Sequence, residues 1–376
     1  STMSLVSPLI PSAQVPRYQD LSFKLNFPSR KMGTISLWGI GAIDHNAQPE
    51  NRDSTEWTED FDRFSYDFMQ NTAAAGISHR KIFGTSTFIN STLVVSANQF
   101  TMDLKRLDDQ LVPTDNWYGN NMEGKVTFKS FVNHKFGEHH TNRTGIILND
   151  LFFQLENRAA LENTLPLATL SDETGHTKRL EAFSQSQLKL AQHTLLNIGL
   201  HATWFELNDE FLAEPRLGIS QHINSAHKLS LGYGKHSSLE PLRVYFYKDP
   251  DNDLYPNRTL GLTKAHHLVA GYDWAINKNL RLKVEPYYQY LYDVPVIRDS
   301  VFSMINFEQD FHFNDPLVNE GKGSNLGIDF TLEKYFDGSA YYLVTASLFR
   351  SEYETSTGEV FPTRYDKGYV VNILAG

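Results

Sequence analysis

Long runs of period-two alternation constrain this chain more than any other feature. Leu196, Ile198, Leu200, Ala202 and Trp204 occupy one set of alternate positions, and Asn197, Gly199, His201 and Thr203 the other. The same two-faced pattern runs through Asp20–Phe27. It recurs from Leu280, where Leu282, Val284, Pro286, Tyr288 and Tyr290 alternate with Arg281, Lys283, Glu285, Tyr287 and Gln289. Leu326, Ile328, Phe330 and Leu332 repeat it against Asn325, Gly327, Asp329, Thr331 and Glu333. In a strand successive side chains point to opposite faces, so each run describes a sheet with unlike sides. One such strand also fits a soluble antiparallel sheet; many long ones in succession are more restrictive.

The pattern predicts about fifteen strands, several longer than the ~5–6 residues usual in globular sheets and long enough for the ~9–11 that a tilted strand needs to cross a bilayer. They cover 18–27, 34–43, 63–78, 85–104, 122–136, 143–156, 177–191, 194–207, 214–223, 227–237, 264–276, 279–292, 324–336, 339–352 and 367–376. Short turns such as Asn277-Lys278 and Asp337-Gly338 alternate with long loops at 44–62, 105–121, 157–176, 238–263, 293–323 and 353–366. Only the connection near 207–214 breaks the alternation. Residues 157–168 read as the best candidate for a short helix, inside a loop. Short turns at one end and long loops at the other is the layout of a transmembrane antiparallel β-barrel of the outer-membrane kind. The expected fold class is therefore all-β.

Composition fits this reading and removes others. The chain of 376 residues has 34 Lys+Arg against 44 Asp+Glu, a net charge of −10, which argues against nucleic acid as a partner. It has no cysteine, which excludes disulfide scaffolds, thiolate metal sites and a cysteine nucleophile. No apolar run approaches the ~18–20 residues of a membrane-spanning helix. Ser1-Thr2-Met3 carries no secretory leader, which implies a cytosolic chain or a processed or truncated N-terminus. Aromatic content is 13%, and aromatics favour strands and membrane interfaces. Trp38, Trp204, Trp274, Tyr288 and Tyr290 are expected in an interfacial girdle. Mean hydropathy of −0.40 is then an average over an apolar lipid face, a polar lumen face and wet loops.

Several segments carry a family resemblance. They include Tyr18–Lys24, Gly33–Asp44, His266–Trp274, Lys283–Gln289, Val294-Pro295-Val296, Gly321–Asp329 and Ala346–Tyr353. Together they resemble the barrel of TonB-dependent outer-membrane receptors, in the branch whose full chains often begin with a carboxypeptidase-like regulatory domain. The resemblance implies a barrel of twenty-two strands around an N-terminal plug, with energy supplied by TonB and the inner-membrane energising complex through the plug. The plug, the TonB box and the final strands are absent from these residues. Residues 1–376 are thus expected to be a partial outer-membrane β-barrel, in contact with outer-membrane lipid and open to a lipid-anchored surface partner.

The expected function is receptor-mediated import of a scarce nutrient: a siderophore, an oligosaccharide or a peptide. No enzyme is expected, since no nucleophile elbow, phosphate loop or dinucleotide fingerprint occurs. The alternatives are a soluble or surface β-rich protein that binds or degrades glycans, and a passive porin. Rings in the long loops, Trp57, Trp117, Tyr118, Tyr247 and Tyr255, are the candidate substrate contacts, because an aromatic face can stack on a sugar, peptide or chelate. Asp249, Asp251 and Asp253 place oxygen at every second position and could hold a calcium ion in an external loop, although Leu254 and Leu260 stand where an EF-hand needs Gly and Glu. His134-Lys135-Phe136-Gly137-Glu138-His139-His140 resembles a metal cluster but reads better as a polar turn, because the glycine and the strand context break the helix such a motif needs.

Overall fold

A computed structural model describes residues 17–161, 166–307 and 313–376. Among these residues the chain forms one antiparallel sheet of sixteen strands. In order they are β1 (Arg17–Ser29), β2 (Gly33–Gln48), β3 (Phe64–Phe83), β4 (Thr87–Leu107), β5 (Pro113–Lys135), β6 (His140–Ala159), β7 (Ala168–Ala191) and β8 (Thr194–Phe205). Then follow β9 (Glu210–His222), β10 (His227–Ser238), β11 (Thr263–Ala275), β12 (Leu280–Val296), β13 (Val318–Lys334), β14 (Tyr342–Glu354), β15 (Val360–Pro362) and β16 (Tyr369–Ala375). Each strand from β1 to β14 pairs with its sequence neighbours, as an up-and-down meander does. β15 and β16 both lie against β14, one on its upper part and one on its lower part. The extra strand relative to the sequence expectation is β15. It continues the line of β16 across an irregular stretch in which the Asp366 carboxylate accepts from the Ser351 backbone N–H.

The register resolves the two faces. Leu93, Phe128, Leu148, Leu180 and Trp204 align in one row through β4, β5, β6, β7 and β8. Ile198, Leu217, Tyr233, Leu268, Tyr288 and Leu326 form another through β8 to β13. All but Trp204 count among the exposed large apolar side chains. On β8 this face runs from Leu196 to Trp204, close to the ~9–11 residues that a tilted strand needs to cross the apolar layer. So large a continuous apolar surface on a sheet is a lipid-facing band. Trp204, Trp274, Tyr288 and Tyr290 lie on it, as expected. Trp38 does not: it pairs with Lys24 and Gly76 on the other face and packs over Gly76, where a Cβ would meet its ring at 2.9 Å.

Several strands are longer than the alternation suggested, and the excess lies above the band. β4 reaches Leu107 and β5 begins at Pro113, so the expected 105–121 loop shrinks to 108–112. Here the outward positions turn polar, with Gln99, Thr101 and Asp103 following Leu93, Val95 and Ala97. On the inner side Phe100, Met102 and Trp117 are buried instead, so the apolar half-period changes face, and the polar Asp115-Asn116 and Asn120-Asn121 pairs make 105–121 read as a loop. The helix expected at 157–168 is not formed in its first part, since β6 continues to Ala159; residues 162–165 lie outside the described residues. The His134–His140 segment is a turn between β5 and β6. His134 bonds the Thr87 hydroxyl at 2.6 Å, and the Phe136 ring stacks on His140.

The band yields a depth-dependent prediction. Leu200→Arg, at mid-band, should destabilise the folded protein in bilayers by about 2–4 kcal/mol, and Phe211→Arg, at the rim, by about 0–1 kcal/mol. Reversible urea unfolding from lipid vesicles measures both. Equal costs at the two depths would contradict the assignment of the band.

Candidate functional site: the lumen wall and its inward-folded loops

The inner face holds what core this chain has. The 239–262 connection between β10 and β11 folds back against the wall instead of standing up into solvent. Its helical turn Leu242–Tyr245 and the following Phe246 and Tyr247 are buried against Phe153, Leu155, Leu170, Phe205 and Leu212 of β6 to β9. The Phe153 and Phe246 rings lie 4.3 Å apart. The 297–317 connection adds Met304, Phe313 and Leu317 to the same cluster. Burial of five or six large side chains at ~1.5–3 kcal/mol each gives the loop enough apolar contact to stay down.

Polar side chains fix its path. Asn257, fully buried, donates to the Asp315 carbonyl at 2.9 Å and accepts from the Leu317 N–H at 2.7 Å, tying one loop to the other. Asn319 accepts from the Gly261 N–H and donates to the Asp293 carbonyl, both at 2.8 Å. Lys264 bridges Glu210 and Asp293 at 2.7 Å each, while Glu210 also accepts from the Leu262 N–H. The Tyr255 hydroxyl donates to Glu173 of β7 at 2.5 Å. Burial first, and then the Glu173 carboxylate, push the Tyr255 hydroxyl up to about 12. Burial likewise raises the carboxyls of Glu240 and Asp315 above the usual carboxylate range.

Beneath the loops the wall carries a charged ladder. Glu181 accepts from Asn149 at 3.0 Å and lies 3.0 Å from His201 Nε2. His201 Nδ1 lies 2.8 Å from Glu214, which is paired with Arg216 at 3.2 Å and accepts from Ser237 at 2.5 Å. One chain of polar contacts thus crosses β6 to β10. The sequence displays these residues only as members of polar half-periods; their union depends on register, which alternation alone does not supply.

The predicted contact residues are dispersed. Trp57 stays in the 49–63 loop, where its Nε1 donates to the Asn51 carbonyl at 2.7 Å and the Arg63 guanidinium covers its ring at 5.2 Å. Trp117 and Tyr118 are strand residues of β5 rather than loop residues. Trp117 is 3% exposed, packed with Phe100 and Met102 and lying over Gly119, where any Cβ would clash with the indole. Tyr247 is 5% exposed inside the lumen cluster, so its ring is spent on packing. Tyr255 is half-buried, with its hydroxyl on Glu173 and the Arg258 guanidinium 5.9 Å from its ring. The carboxylates expected to suit calcium are engaged within their own loop. Asp249 caps its own turn, accepting from the Asp251 N–H at 3.0 Å and from Asn252 at 2.6 Å. Asp253 pairs with Lys248 at 2.5 Å. Among the described residues no three His, Asp or Glu side chains are placed to hold a metal ion.

No family model and no curated protein matches this chain. Solved structures do. The ferric-catecholate import receptor Fiu of E. coli K12 superimposes with a TM-score of 0.67 at 11% identity, covering 96% of this chain and 62% of that one. The outer-membrane ferripyoverdine receptor of Pseudomonas aeruginosa gives 0.67 at 10% identity, over 96% and 52%. The RagAB peptide importer gives 0.61 at 12% identity, over 93% and 49%. The chain thus spans about half to three fifths of the structures it matches.

Two predictions concern the loops. Asn257→Ala leaves the Leu317 N–H and the Asp315 carbonyl unpaired, at about 1–3 kcal/mol each, and should raise protease cleavage within 239–262 several-fold while leaving the strands protected. An unchanged cleavage rate would contradict the tether. Because Glu240 and Asp315 are raised in the packed state, that state binds more protons than the released one. Packing should therefore strengthen as pH falls into the carboxylate range and weaken as pH rises above their raised values. A spin label at Asp251→Cys, in this cysteine-free chain, should report more mobile loop at pH 8 than at pH 5. In its antiparallel sheet the chain has the fold of part of the barrel of TonB-dependent outer-membrane receptors.

Proposed function

We propose that this chain is the wall of an outer-membrane receptor that imports a scarce nutrient by energised uptake. The observation that carries the reading is the combination of a lipid-facing band outside with long loops packed against the lumen wall inside. A passive porin needs an open aqueous path, whereas here the 239–262 and 297–317 loops fold inward and cover part of the wall at β6 to β9 with apolar side chains. A soluble glycan-binding or glycan-degrading protein has no use for the band. The matched proteins are described as an import receptor, a receptor bound to ferripyoverdine, a peptide importer and a copper transporter, which supports import and leaves its cargo open among siderophores, oligosaccharides and peptides.

Residues 1–376 would then form part of a larger barrel. β1 pairs on one side only, and β16 on one side only, among the described residues. Open strand edges are not tolerated in lipid, so further strands are expected to complete the cylinder and a plug domain to fill it. TonB and the inner-membrane energising complex would act through that plug, and the regulatory-domain branch and a lipid-anchored surface partner remain part of this proposal. Trp57 and Tyr255 are the loop rings that would first meet cargo, while Tyr118 lies on the outward face of β5 beside Asp103.

Uptake by cells carrying the full-length protein tests the reading. Labelled ferric chelates, maltodextrins and mixed peptides are supplied in turn. Import of one class should fall at least tenfold when TonB is deleted or the proton gradient is collapsed. Flux that persists unchanged without TonB would favour a passive pore and contradict the proposal.

A further inference from the structure

The lower half of the lumen wall holds a pocket of about 260 Å³ that the charged ladder does not account for. Lys129 of β5, Arg143 of β6, His201 of β8 and Arg216 of β9 line it together with Phe131, Phe183 and Gln185. No Asp or Glu is among its lining residues. The two nearest acids, Glu181 and Glu214, are both engaged by His201. Glu181 is further neutralised by Arg179, and Glu214 by Arg216. Lys129 and Arg143 have no carboxylate partner among the described residues. Each lies instead near an aromatic ring, Lys129 at 5.9 Å from Phe183 and Arg143 at 5.0 Å from Phe131.

The backbone is shaped to leave this space. Gly145 lies between Phe131 and Phe183 in the register. A Cβ there would come within 2.6 Å of the Phe131 Cβ and 2.9 Å of the Phe183 ring, so glycine leaves room for both side chains to line the pocket. Gly199 opposes Gln185, and a Cβ there would find ordinary contact distances of 3.5 Å and beyond. The room beside Gln185 is therefore open, and a larger side chain at 199 would fill it. A concavity lined by one sign of charge on low-dielectric walls focuses the field and concentrates counter-ions by ~10–10³-fold.

We infer that this pocket is a carboxylate-binding site: Arg143 and Lys129 grip the anionic head, Arg216 closes the far side, and Phe131, Phe183 and Ile147 take an aliphatic stem. A guanidinium fork suits a carboxylate, and the aromatic flanks suit methylenes. The same chemistry is offered by an Asp or Glu side chain of a polypeptide lying in the lumen and by a free organic acid. The site stands independently of which cargo the protein imports.

These 376 residues contain no cysteine, so a thiol introduced among them, with any cysteine elsewhere in the protein changed to serine, makes a direct test available. The full-length protein carrying Gln185→Cys, in native outer membranes, is treated with two methanethiosulfonate reagents, one bearing a sulfonate and one a trimethylammonium group. If the pocket is open to free acids, the sulfonate reagent reacts about tenfold faster than the cationic one. Millimolar malonate slows it, and adding Lys129→Gln with Arg143→Gln abolishes both the preference and the protection. If an acidic side chain already occupies the pocket, the introduced thiol resists both reagents until the same two charges are removed, and then reacts with each. Gly199→Leu, which fills the space without touching a charge, blocks malonate protection in the first case and releases the occupant in the second. Equal rates with both reagents and no malonate effect overturn the site. So does a reactivity that the charge substitutions leave unchanged, whether high or absent.

Discussion

Every backbone N–H and C=O that enters the hydrocarbon layer must find its partner inside the protein, because no water is there to serve it. This chain meets the constraint with a single meander in which each strand satisfies the next. Once the ladders are formed, the two faces are assigned by period alone. One face meets lipid and must be apolar; the other meets the lumen and can carry charge. The band from Leu93 to Leu326 and the ladder from Asn149 to Ser237 are two consequences of one pairing pattern.

The usual order of a protein interior is therefore reversed. The largest apolar surface is on the outside, and the buried core consists of external connections folded inward onto the wall. Those connections are held by a few buried amides and one lysine bridge rather than by regular structure. Asn257 and Asn319 each satisfy backbone groups of a second segment, which lets irregular chain be buried with those backbone groups paired. The lumen thus has a rigid wall and a loop layer whose hold depends on a handful of contacts and on the protonation of Glu240 and Asp315.

Much of the fold is legible in the residues and much of the site is not, for a physical reason. Inside the band, lipid on one side and polar lumen on the other force a strict alternation, and the segments around Leu196–Trp204 and Leu326–Leu332 are read correctly. Above the band lipid no longer enforces an apolar outer face, the constraint relaxes, and β5 from Pro113 to Asn121 resembles a loop. Trp117 and Tyr118 are misread as loop residues for that reason. Tyr247 is read in the right connection but not in the right environment, since nothing local distinguishes a loop that stands up from one that folds down. The acidic run at Asp249–Asp253 has the spacing of an ion site but spends its oxygens on its own turn. The Glu181–His201–Glu214 ladder and the Lys129–Arg143–Arg216 pocket join residues far apart in the chain, and only the strand register brings them together.

The central claim is that alternate residues of these strands face lipid and lumen. Single spin labels placed in turn from Leu195 to Trp204 of β8, in protein reconstituted into bilayers, test it most directly. The account predicts that collisions with oxygen peak at Leu196, Ile198, Leu200 and Ala202. Collisions with a water-soluble nickel chelate should peak at Asn197, Gly199, His201 and Thr203, in opposite phase. Loss of that alternation, or the same phase for both probes, would contradict it.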